Sequence, residues 1–82
     1  MMSNYQKYIN NFRIVIASLP DRENCVCEIY YNHIEWAEIS LENTEVMIQF
    51  YTHPTQDFWE FPLDVALEIL SVAKKRFHGE HL

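Results

Sequence analysis

His33 and Glu35 form an H-x-E spacing, which in zinc deaminases supplies one metal ligand and the residue that shuttles protons. That chemistry also needs a P-C-x-x-C segment to complete the zinc site, and the chain has none. His33 is therefore read as a turn residue. Cys25 and Cys27 stand two apart in a strand-like run, where their side chains point to the same side at a separation unsuited to a disulfide. Two thiols with no second Cys or His pair at ligand spacing are buried small hydrophobes rather than a zinc site. Glu35 and Glu38 could act as an acid–base pair, but acids spread along strands usually form a solvated or partner-facing surface. No Ser-His-Asp or Cys-His context is present, and one glycine in the whole chain leaves no Gly-rich phosphate loop. The expectation is a protein that is not an enzyme, with no cofactor and no metal.

What remains is charge and aromaticity. The 51 residues between Arg22 and Lys74 hold no lysine or arginine and ten acids. Eight aromatics share that stretch, among them Tyr31, Trp36, Tyr51 and Phe58, so it is not a solvating acidic tail. A formal net charge of −6 argues against nucleic acid and anionic membranes, both of which need clustered cations. It favours a basic protein partner. With neither a signal-peptide pattern nor a bilayer-length apolar run, the expected compartment is the cytoplasm, with free thiols.

The elements that must position these residues follow from the hydrophobic period. Eighty-two residues with 49% apolar content suit a single domain, 1–82, with one core. Its first eleven residues are read as either a flexible or a helical arm. FRIVIAS is a β-branched run ending at Pro20-Asp21. CVCEIYY and IEWAEISL meet across Asn32-His33, a two-residue hairpin turn, and VMIQFYT follows Asn43-Thr44 with clean alternation. A turn at 54–57 leads to a short strand over 58–61. The period then changes: Ala66, Ile69, Leu70, Ala73 and Phe77 lie on one stripe of a helix. Pro62 suits its first position, Asp64 and Glu68 its N-terminal half, Lys74, Lys75 and Arg76 its last turns, and Gly79 its close. The fold class is α+β, an antiparallel β-meander of four to five strands with one C-terminal helix packed on one face.

Registering the hairpins through their turns separates two sheet faces. Ala37, Ile39, Leu41, Val46, Ile48 and Phe50, extended by Trp59 and Phe61, are placed under the helix. Ile29, Tyr31, Ile34, Trp36, Glu38, Met47, Gln49, Tyr51, Phe58 and Glu60 are placed on the other face. One helix covers one side, so the second face is expected to be open unless the arm or a homodimer covers it. The candidate partner-binding residues are Tyr31, Trp36, Glu38, Met47, Gln49, Tyr51, Phe58 and Glu60, with Trp36 and Tyr51 as the apolar centre and the two glutamates as charge partners.

The succession FRIVIASLP, CEIYYNHIEWAEIS, MIQFY and FWEFPLDVALEILSVAKKRF resembles small bacterial immunity proteins of polymorphic toxin and contact-dependent growth inhibition systems, over about residues 12 to 78. The resemblance implies a cytoplasmic inhibitor that binds and neutralises a cognate basic toxin domain, commonly a nuclease. It implies no catalytic residues. Two other readings stand beside it: a small regulatory or scaffold module that self-associates through its open sheet face, and a nucleic-acid mimic acting on a DNA-binding protein.

Overall fold

The computed structural model describes residues 4–20 and 23–81. The start of the N-terminal arm and Asp21 of the first loop lie outside the described residues. The elements run α1 (Asn4–Ile9), β1 (Phe12–Ala17), β2 (Val26–Tyr31), β3 (Ile34–Glu42), β4 (Glu45–Phe50) and α2 (Leu63–His81). The four strands form one antiparallel sheet in sequence order, as the meander requires. The short strand expected over 58–61 does not form; that stretch is irregular. Its side chains serve packing instead, with Phe61 and Trp59 closing the core from the side.

Both hairpins turn on two residues. Asn32 and His33 have φ of 50° and 68°, and Asn43 and Thr44 have φ of 50° and 77°. Two consecutive positive φ values match the right-handed twist of the flanking strands.

The register between β3 and β4 is regular: Ala37 faces Phe50, Ile39 faces Ile48 and Leu41 faces Val46. Between β2 and β3 it slips. Cys27 faces Ile39 and Ile29 faces Ala37, but Tyr30 faces Glu35, so Trp36 is the extra residue of a β-bulge. A bulge sets two successive side chains on nearly the same side of the sheet. Ile34 and Trp36 therefore join Ala37 and Ile39 beneath the helix, and the alternation that assigned Trp36 to the open face ends at the bulge.

The core lies between α2 and the first three strands. Cys27, Ile29, Trp36, Ala37 and Ile39 meet Val65, Ile69, Ala73 and Phe77, all buried. Phe12, Ile14 and Ile16 of β1 pack against them. Ile69 is buried as the stripe predicts, whereas Leu70 is only half-buried, because the stripe centres on the 65-69-73-77 line. The helix starts one residue later than the sequence suggests: the Pro62 carbonyl accepts from the Val65 and Ala66 N–H groups at 3.0 and 3.2 Å, which makes Pro62 the capping residue. Gly79 stays inside the helix without a positive φ and does not close it.

One helix is about 10 Å across and strands are about 4.8 Å apart, so α2 cannot span four strands. It packs on β1, β2 and β3. Every residue of β4 is exposed, including Val46, Ile48 and Phe50, which were expected under the helix. The arm forms α1, which packs on α2. Its Tyr8 ring stacks on Tyr31 and meets Phe61 edge-on. The described part of the arm thus extends the helix side of the sheet.

Candidate functional site

On the sheet face away from α2 the registers line up a row of carboxylates. Glu28 of β2 faces Glu38 of β3, which faces Gln49 of β4. Glu35, set on this side by the bulge, faces Tyr30. Carboxylate oxygens of Glu28, Glu35 and Glu38 all lie within 4.8 Å of one another. Arg13 of β1 faces Tyr30 from the other side. No helix of the described residues covers the row.

The geometry strains these charges. Tyr30 donates its hydroxyl to Glu28 Oε1 at 3.1 Å, while Glu35 Oε2 is buried with no hydrogen-bond partner among the described residues. Loss of solvation, then the charges of Glu28 and Glu38, hold the Glu35 carboxyl above its ordinary value. Burial, then the bond to Glu28, raises the Tyr30 phenol too. Glu38 is only 5% exposed, so a partner reaches Glu28 and Glu35 first and feels Glu38 through its field. Three carboxylates that repel one another favour an approaching cation, whether a guanidinium, an ammonium or a hard metal ion with oxygen preference. A depression of about 280 Å³ lined by Arg13, Val15, Glu28, Tyr30 and His33 adjoins the cluster.

The eight residues singled out from sequence separate into three groups. Glu38, Met47 and Gln49 lie on the face away from α2, with Met47 48% exposed but Glu38 buried. Tyr31, Phe58 and Glu60 share a depression of about 450 Å³ with His53 and Trp59 at the end of the sheet, on the helix side. Trp36 is 7% exposed, its ring among those of Phe12, Phe50 and Phe61. It is core and cannot be the apolar centre of a binding surface. Tyr51 sits just past β4, half-buried, with its carbonyl accepting from Trp59 Nε1 at 2.8 Å.

Glu28, Glu35, Tyr30 and Arg13 were missed, and one signal marks them. Apolar residues fall at 34 and 36, then at 37, 39 and 41; that change of phase is the trace of the bulge. Taken at face value it places Glu35 and Glu38 on one side of the sheet, the side that Glu28 shares through its pairing with Glu38. His33 is exposed at its turn, as the sequence suggests. Neither cysteine is in a disulfide. Cys27 is buried, its Sγ 3.9 Å from the Ala73 carbonyl, and burial pushes its thiol up to about 11. Among the described residues no helix is long and apolar enough to cross a membrane.

Comparison with known proteins adds no relative: no family model, no curated protein and no solved structure matches this chain.

Proposed function

We propose that this chain is a cytoplasmic inhibitor of the immunity-protein type, which binds a basic toxin domain and blocks the surface that toxin turns toward its substrate. The observation that supports this reading is the cluster of Glu28, Glu35 and Glu38 on the sheet face away from α2, where Glu28 and Glu35 are part-exposed. A nuclease presents Lys and Arg to phosphates, and a rigid group of carboxylates offers those cations an alternative polyanion. A bidentate guanidinium bridging two of the glutamates relieves their mutual repulsion, so part of the binding energy is already stored in the free protein. Met47 and Gln49 on β4 extend the contact with apolar and hydrogen-bonding surface.

The test is association kinetics of the full chain with a basic nuclease toxin domain, measured over a salt series. Steering by exposed charge predicts an association rate that falls steeply once the screening length shrinks to about 8–10 Å. Glu28→Gln is expected to slow association about tenfold at low salt and little at high salt. A salt-independent rate, or an acidic partner surface, overturns the reading.

A further inference from the structure

The apolar surface on the other side of the sheet is unaccounted for by the acidic face. Val46, Ile48 and Phe50 of β4 stand 48%, 40% and 55% exposed, and Leu63 and Leu67 of α2 stand 72% and 55% exposed. On α2, Glu68 reaches Tyr5 of α1 and Arg76 reaches β1; Leu63 and Leu67 occupy the opposite flank, turned toward β4. Together the five side chains expose roughly 500 Å² of apolar surface.

Beside this patch runs an unguarded strand edge. β4 is the last strand, and its outer row of N–H and C=O groups faces no further strand among the described residues. Proteins blunt such edges with Lys, Pro, a bulge or a covering segment. The sequence EVMIQF contains no Lys or Pro, and its pairing with β3 is regular. The β1 edge differs: there Arg76 Nη1 donates to the Ile14 carbonyl at 3.1 Å, and Arg13 adds a charge.

We propose that the chain forms a two-fold symmetric dimer in which β4 pairs antiparallel with β4 of a second copy, joining the two sheets edge to edge. The occupant is a second copy because the strand is complementary to itself. With Ile48 on the axis, Val46 faces Phe50 of the partner subunit and Met47 faces Gln49 of the partner subunit, so apolar residues stay on the helix side and no like charges oppose in the ladder. Full burial of these five side chains in both copies would remove about 1,000 Å² before any polar rim is counted, the lower bound for a specific interface. The net charge does not forbid it. Across the seam Glu38 lies three strand spacings, about 14 Å, from its symmetry mate, beyond the screening length of about 8 Å at physiological salt. The dimer also merges two carboxylate clusters into one continuous anionic face.

The test is the mass of the full chain by light scattering and sedimentation across a concentration series, with amide exchange of β4 followed in parallel. A mass twice the 9.9 kDa of the chain, with β4 amides protected at high concentration and exchanging at least about tenfold faster on dilution, is the expected result. Ile48→Lys, at a site exposed in the monomer, should weaken dimerisation at least about tenfold, since it sets two ammonium groups against each other on the axis. A monomer up to near-millimolar concentration overturns the proposal, as does a dimer unaffected by Ile48→Lys or one whose β4 amides exchange at the same rate at all concentrations. If Ile48→Lys unfolds the chain, the exchange data on the unaltered protein decide. The three glutamates lie outside this seam, so failure here leaves the inhibitor reading standing.

Discussion

Trp36 meets Phe61 edge-to-face, ring centroids 5.2 Å apart at 76°, and this contact ties the β3 bulge to the irregular stretch that precedes α2. Phe12 and Phe50 complete the set of rings around the indole. The aromatic content that suggests a binding surface is thus spent on closing the end of a small core that a single helix leaves open.

Trp36→Ala is therefore expected to destabilise the fold by about 3–5 kcal/mol, the cost of removing a buried aromatic and leaving a cavity. Urea unfolding measures it. Where the variant remains folded, its affinity for a partner should match that of the unaltered chain, in contrast to variants of Glu28 or Glu35.

The meander, the turns and the helix were legible because each rests on local periodicity. Asn32-His33 and Asn43-Thr44 stand between alternating runs, and the stripe from Ala66 to Phe77 changes period visibly. The face assignment failed at one residue, since a bulge at Trp36 carries no glycine to announce it and reverses every side chain before it relative to those after. The exposure of β4 was not legible either. Whether a helix covers three strands or four depends on its width and placement, which strand patterns do not encode.

Thr44 holds φ at 77°, where a β-branched side chain is strained. Thr44→Gly turns the second hairpin into an Asn-Gly turn, the favoured sequence for two consecutive positive φ values. A gain of about 1 kcal/mol is expected, read as a higher urea midpoint with an unchanged slope. Loss of stability would show that Thr44 makes a compensating contact.

Cys27 titrates at about 11 in the fold, against an ordinary value of 9.0, because it is buried. A folded-state value above the unfolded one means that stability is fully present below pH 9 and is lost as pH rises from 9 toward 11. Cys27→Ala should flatten that alkaline decline. In the folded protein at pH 8, a thiol reagent should modify the half-buried Cys25 well before Cys27.

Glu35 joins stability and binding with opposite signs. Its folded-state value is raised by lost solvation and by Glu28 and Glu38, so its contribution is fully favourable below the ordinary value of 4.5 and is lost as pH rises through the raised one. Where it is ionised, the carboxylate works against the fold. Glu35→Gln should stabilise the free protein at neutral pH, by less than about 1 kcal/mol because the side chain is only partly buried, and should remove part of the decline that sets in as pH rises above 4.5. The same change deletes one of three charges offered to a basic partner, so the association rate should fall several-fold at low salt. A gain in stability with a loss of binding is the pattern of a functional charge held at a cost to the fold. If Glu35→Gln destabilises the protein at pH 7, the carboxylate is engaged in a favourable contact; if it stabilises without slowing association, the partner does not approach this face.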